Sequence, residues 1–225
     1  MGLLFLVGTW AGPLVAGTII DDATSAFSVT NGNPNGHWTY GYETAGGNPF
    51  IPYTSHSGNA WLGNIGTDAT PAIWKNDSAS VAYGVAPGQI SLHPGPSYQP
   101  ALLRWTAPAG IAATIQINGQ FFAGDTGIMQ VGVIRNDDWV SPLFQAADSG
   151  TFSLTTTVAT GDTIDFAVYG GYGWGNTPID ARISATTTTG GVPEPSTLVL
   201  AAVAGLCRVS RTWRRQRQRR IEASA

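Results

Sequence analysis

The stretch "ALLRWTAPAGIAATIQINGQFFAG", residues 101–124, carries the clearest strand-and-turn pattern of the chain. Ala101 to Thr106 is short, apolar and stopped by a Pro-Ala-Gly turn, which predicts a strand. Beyond the turn, apolar and polar positions alternate, placing Ile111, Ala113, Ile115 and Ile117 on one face of an extended chain. Asn118-Gly119 then has the composition of a tight hairpin turn, whose central residues need positive φ. Two later stretches repeat the period. In "GIMQVGVIRND", 127–137, Met129, Val131 and Val133 form the better core face, with Ile128, Gln130, Gly132 and Ile134 opposite. "SGTFSLTTTVATGDTIDFAVYGG", 149–171, predicts strands at 151–158 and 163–169 joined by Ala159-Thr160-Gly161-Asp162. If Phe166 is core, Asp165 points to the solvent face. Helical periodicity is missing from every stretch before the C-terminal tail. The expectation is an all-β, antiparallel β-sandwich of jelly-roll type over residues 18–185.

Composition agrees with that class. The 225 residues include 29 Gly and 14 Pro but only 11% charged side chains, which suits one β-domain rich in turns. Charge is unevenly spread. Seven of the 11 Lys+Arg residues fall between Arg208 and Arg220. Residues 17–191 carry four bases against twelve acids, so the body is acidic and the tail basic. Such a body is a poor match for nucleic acid, whose phosphates need Lys and Arg. The single cysteine, Cys207, has no partner for an internal disulfide and reads as a small apolar residue.

Upstream, "FSVTNGNPNGHWTYGYE", 27–43, holds a turn at Asn33-Pro34-Asn35-Gly36 and then an aromatic run. In an extended chain Trp38, Tyr40 and Tyr42 share a face. A stripe of this kind can stack on sugar rings, but in a segment of strand period it suits half a sandwich core better.

The sequence has no catalytic grammar. His37, His56 and His93 lack metal-ligand spacing, and a G-x-S-x-G nucleophile elbow is missing. A glycosidase needs two facing carboxylates, and Glu43 is the only glutamate of the body. Asp137-Asp138 in a turn, and Asp162, Asp165 and Asp180 with Asn176, are weak candidates for holding calcium, which takes several oxygen ligands. Asp162 reads equally well as a turn former bonding nearby amides. The reading is of a non-enzyme with no obligatory cofactor.

The run "GGYGWG", 170–175, lacks the Gly-Lys-Thr ending of a phosphate loop and reads as a mobile aromatic loop. Tyr169, Tyr172 and Trp174 are spaced by glycines, with Asn176 and Asp180 as hydroxyl partners: a candidate sugar platform. The alternative is a loop folding its rings back over the sandwich end.

Both ends read as addresses. "MGLLFLVGTWAGPLVAGTIIDD", 1–22, has an apolar run from Gly2 to Val7 and small residues at Ala16 and Gly17, as in a secretory signal of residues 1–17, though without a positive n-region. The polar "DDATSAF" after it suits a mature amino terminus. At the other end, "TTTTGG", 186–191, is a linker that buries little. Val192-Pro193-Glu194-Pro195 follows, then an apolar segment running from Ser196 through Leu198, Leu200, Val203 and Leu206 to Cys207. That segment is read as a hydrophobic helix, shorter than the ~20 residues that span a bilayer comfortably. Arg208, Arg211, Arg214, Arg215, Arg217, Arg219 and Arg220 then form a positive stop, ahead of a tail at 221–225.

Motif, apolar span and basic end in that order resemble the PEP-CTERM sorting signal, over residues 192–220. The resemblance implies a bacterial protein exported to the cell envelope or surface. It implies anchoring at the membrane by the tail and processing by an exosortase, a membrane-embedded transpeptidase acting at the Pro-Glu-Pro motif. Many proteins with this signal are associated with extracellular polysaccharide. The segments 102–121 and 161–173 are in turn similar to carbohydrate-binding-like jelly rolls, which implies a fold and a glycan partner. Together they yield an expectation: a non-catalytic, surface-tethered module that is structural or binds extracellular polysaccharide. A polysaccharide hydrolase and a purely architectural protein are the alternatives.

Overall fold

The computed structural model describes residues 15–44, 49–65 and 69–189, with the side chains of 15–19 and 186–189 excepted. Its compact body runs from Ala16 to Thr188. The first elements are β1 (Val15–Asp22), the single turn α1 (Ala23–Ala26), β2 (Trp38–Glu43), β3 (Phe50–Pro52) and β4 (Ser55–Ser57). The middle holds β5 (Ala60–Leu62), β6 (Ala72–Lys75), β7 (Ile90–His93), β8 (Ala101–Thr106) and β9 (Ala112–Phe121). The last are β10 (Gln130–Arg135), β11 (Phe144–Ala147), β12 (Gly150–Ala159), β13 (Thr163–Tyr169) and β14 (Thr177–Thr189).

Two sheets form. Sheet A has eight strands in the order β12-β9-β14-β7-β6-β5-β4, with β1 also paired to β14. Sheet B has six, in the order β11-β10-β13-β8-β2-β3. From β7 onward the chain passes back and forth between the sheets, leaving sheet B for sheet A at β9, β12 and β14. The inner faces meet in one core. Its largest fully buried side chains include Trp38, Trp105, Tyr40, Phe121 and Phe166, the residues of a sheet-on-sheet interior. Tyr40 stacks on Trp61 at 6.0 Å, and burial pushes its phenol up to about 12.

The sequence period placed most of this correctly. Strands β8, β12 and β13 fall where expected, and the link from Ala159 to Asp162 is a turn closed by the Asp162 N–H to the Ala159 carbonyl. Ile111, Ile115 and Ile117 are buried, as are Met129, Val131 and Val133. Trp38 and Tyr40 are core, while Tyr42 is half-buried and stacks on Tyr53 at 5.6 Å.

Three expectations are corrected. Asn118-Gly119 is no turn. β9 runs straight through it, with Gly119 opposite Phe152 on one side and Ala181 on the other. Glycine is required there by contact, since a Cβ would lie 2.1 Å from the Asp180 carbonyl oxygen and 2.6 Å from the Phe152 ring. Ile134 does not face solvent: it is buried with Leu102 and Ala167 beneath Phe50, Trp139 and Tyr169. Asp165 does lie opposite the core residue Phe166, yet it is only 1% exposed, because the outer face of sheet B is itself covered.

The polar start "DDATSAF" is built into the fold. Asp21 accepts from the Trp105 indole N–H at 2.7 Å and from His37 Nδ1 at 2.8 Å, and Asp22 caps α1 through the Ser25 N–H. Val15, Ala16 and Gly17 stand in β1. The rest of the signal segment, the sorting motif, the C-terminal hydrophobic helix and the arginine stop lie outside the described residues. Among the described residues, no helix is long and apolar enough to cross a membrane.

Candidate functional site

Opposed residues in an antiparallel ladder share a face, so the register of β5, β6 and β7 sorts their side chains. Trp61, Ile73 and Leu92 form one row, buried in the core. On the outer face of sheet A lie two rows: Leu62, Ala72 and His93, then Ala60, Trp74 and Ser91. Ala60 and Ala72 are small and leave a floor between Leu62, Trp74 and His93. Above that floor is a cleft of about 620 Å³, within the ~300–1,000 Å³ typical of ligand sites.

Three loops wall the cleft. The β13–β14 loop brings Tyr172, Gly173, Trp174 and Asn176, the β6–β7 loop brings Tyr83, and the β9–β10 loop brings Asp125. Trp74 donates its indole N–H to Asn176 Oδ1 at 2.8 Å and meets Tyr83 edge-on at 6.2 Å and 80°. His93 and Tyr172 form a second perpendicular pair at 5.5 Å and 82°. His93 Nδ1 lies 2.8 Å from the Pro94 carbonyl, an acceptor, so the proton sits on Nδ1. Thr70 also lines the cleft, and its buried hydroxyl has no hydrogen-bond partner among the described residues.

Glycines bring the loops this close. A Cβ on Gly84, at φ +75°, would lie 1.9 Å from the Gly124 carbonyl oxygen, and one on Gly124 would lie 1.9 Å from that of Asn176. The Asp125 N–H donates to the Asn176 carbonyl at 3.0 Å, and the Gly127 N–H to the Trp174 carbonyl at 3.0 Å. The glycines of 170–175 therefore serve contact as well as turning. Gly171 and Gly175 pack against Met129. Two cleft rings carry strain: Tyr83 at φ +51° and Trp174 at φ +58° sit in the left-handed region, and each is 68% exposed. Strain of this kind persists where surrounding structure enforces it, and it concentrates at functional sites.

The structure gathers Tyr172, Trp174 and Asn176, three of the five expected site residues. Tyr169 belongs elsewhere. It lies at the end of β13 opposite Gln130 in sheet B, edge-on to Trp139 at 5.1 Å, with its hydroxyl accepting from Gln145. Burial raises its pKa. Asp180 stands opposite Gln120 in β14, outside the cleft lining. The sequence reading missed Trp74, Tyr83, His93 and Asp125. "AIWK", 72–75, carried a usable signal: Ile73 and Trp74 must point to opposite faces, so a strand with Ile73 in the core shows a tryptophan outside.

The weak calcium candidates are not brought together. Asp162 accepts from the Ala159 N–H and from Arg135 and Asn136, an arrangement that lowers its pKa, the backbone bond most. Asp165 takes a bidentate pair from Arg104 at 2.7 and 2.8 Å. Asp137 also bonds Arg104, and Asp138 accepts from the Val140 and Ser141 amides. Among the described residues no three metal-binding side chains cluster.

The Arg104 cluster closes the outer face of sheet B. Phe50 lies over the guanidinium at 4.0 Å, and Trp139 donates to Glu43 at 2.9 Å. Glu43 is fully buried. Burial works against the Arg104 charge, but its bonds to Asp165 and Asp137 outweigh that and hold its pKa above the usual value. Burial pushes the Asp165 carboxyl up to about 7, against the pull of Arg104.

No family model matches the chain, and no curated protein matches it. Solved structures with similar architecture exist. A family 35 carbohydrate binding module from Clostridium thermocellum is 11% identical, with 56% of this chain and 88% of that one covered, at TM-score 0.32. A Stig cyclase from Fischerella sp. TAU is 13% identical, over 76% and 98%, at 0.40. The carbohydrate-binding module CBM36, solved with calcium and xylotriose, is 11% identical, over 48% and 86%, at 0.23. At these levels the likeness is one of β architecture alone.

Proposed function

We propose that the sandwich is a non-catalytic glycan-binding module, and that the cleft on the outer face of sheet A is its site. The observation that supports this most is the ring lining. Trp74, Tyr83, Tyr172 and Trp174 surround an open cleft with alanines in its floor. Flat apolar rings suit the faces of pyranoses, while Asn176 and Thr70 offer polar groups to hydroxyls. A hydrolase needs two carboxylates about the scissile bond. Among the described residues, only Asp125 supplies one to the cleft. On the tail's resemblance to the PEP-CTERM signal, the module works outside the inner membrane of a bacterium, delivered there by export and exosortase sorting. Its polymer partner is then extracellular polysaccharide.

Two experiments test this. Affinity electrophoresis against a panel of soluble polysaccharides is expected to show retardation that disappears in the Tyr172→Ala/Trp174→Ala double variant. Retardation that survives the double variant would place the site elsewhere. Intact mass of the protein from its native envelope is expected to lack Arg214 to Arg220; a mature species retaining them contradicts the sorting.

A further inference from the structure

The charge of the cleft deepens that reading. Among the described residues, Asp125 is the one aspartate or glutamate in the lining, and no lysine or arginine lines it. One oxygen of Asp125 accepts from the Thr126 N–H at 2.8 Å; the other has no hydrogen-bond partner among the described residues. No Lys or Arg pairs with Asp125 among those residues. Asp125 is half-buried beside the aromatic walls, so a cation entering the cleft meets a carboxylate that no protein cation neutralises among the described residues.

The walls favour the same sign. Ring faces carry negative potential and attract ammonium groups, most strongly where water is excluded. In the cleft the rings meet nearly at right angles, Trp74 with Tyr83 at 80° and His93 with Tyr172 at 82°, so ring faces are turned in more than one direction. The acidic body adds a long-range field of the same sign. A uronate or sulfated sugar meets the opposite of what it needs: a carboxylate, aromatic faces and no arginine fork.

We infer that the cleft selects a cationic amino-sugar polymer, a glycan with free amino groups, whose ammonium sits among the rings against Asp125. This rests on the glycan-binding reading above. Stacking holds the sugar and is common to any pyranose, whereas Asp125 discriminates, because only the amine completes its charge. The gain is screened by salt, as a partly exposed pair must be.

Titration calorimetry on the full chain tests this with three probes: the β-1,4-linked glucosamine hexamer, its fully N-acetylated form, and cellohexaose. The glucosamine hexamer is expected to bind at least tenfold tighter than the other two and to weaken steeply with added salt. Asp125→Asn is expected to erase the difference, so that the glucosamine hexamer binds no tighter than its N-acetylated form. Asp180→Asn, a carboxylate outside the cleft, is expected to change nothing. Equal binding of all three probes, unaltered by Asp125→Asn, would overturn the amine selectivity and leave the glycan reading standing. If Asp180→Asn weakens the amine as much as Asp125→Asn does, bulk charge explains the preference and the inference fails. If none of the probes binds, and the polysaccharide panel is also silent, both readings fall together.

Discussion

The two outer faces of this sandwich use the same materials and end differently. On sheet B, aromatics lie over small floor residues: Phe50 of β3 presses on Gly41, where a Cβ would sit 2.5 Å from its ring, and Tyr169 of β13 and Trp139 of the β10–β11 loop pack with Ala167. On sheet A, loop aromatics stand above Ala60 and Ala72. The sheet B face is closed, its polar groups tied to one another through Arg104, Asp165, Asp137, Glu43 and Trp139. The sheet A face is open, with the rings of Tyr83 and Trp174 exposed and Asp125 without a counter-charge among the described residues. A ring over a small residue thus makes a lid when the surrounding polar groups satisfy each other. It leaves an open cleft when they do not.

That contrast can be broken most forcefully at Arg104. Removing one partner of a buried ion pair leaves uncompensated charge and typically costs about 3–5 kcal/mol. Arg104→Met is expected to lower stability by that order, read from the urea midpoint, without altering glycan binding. A loss below about 1 kcal/mol, the scale of an exposed pair, would mean the lid is held by packing alone. Next comes Gly124→Ala, which forces a Cβ into the Asn176 backbone. Overpacking of this kind costs about 1–3 kcal/mol, and binding should weaken at least tenfold because the Asp125 and Trp174 loops separate. Binding at full strength in this variant would show that the loops are not coupled.

How much of this could be read from the sequence follows from the same contrast. Period two located β8, β12 and β13 and the core isoleucines, because a half-buried strand writes its burial into alternate letters. It failed at Asn118-Gly119, where the pair that signals a turn sits inside β9 to admit the Phe152 ring. It failed again at Asp165 and Ile134, because alternation says which side a residue faces and not whether that side is covered. At the cleft, the "GGYGWG" loop drew notice by its composition. Its partners Trp74, Tyr83 and Asp125 come from three other segments, joined only by pairing and by glycine contacts. Tyr169 and Asp180 were near in sequence and lie outside the cleft, since strand direction carried one into sheet B and the other along β14.

The remaining effects are smaller. The Asp165 carboxyl holds its proton more tightly folded than unfolded, about 7 against 3.8. Its contribution to stability is therefore fully present below pH 3.8 and fades as pH rises toward about 7. Asp165→Asn is expected to flatten that part of the pH–stability curve; an unchanged curve would mean the carboxylate is ionised throughout the range. Smallest is Trp174→Gly. Relieving the left-handed backbone offsets the lost ring and the greater freedom of glycine, so stability is expected to stay within about 1 kcal/mol of the parent while binding disappears. A large loss of stability would make Trp174 a structural residue.

Ligand binding is expected at the outer face of sheet A and not at that of sheet B. This is tested most directly by the indole N–H resonances of the tryptophans, followed while the glucosamine hexamer and cellohexaose are titrated into the labelled protein. The Trp74 and Trp174 resonances are expected to shift and saturate, with that of Trp139 unmoved. A saturable shift of Trp139, with Trp74 and Trp174 unchanged, would contradict the account.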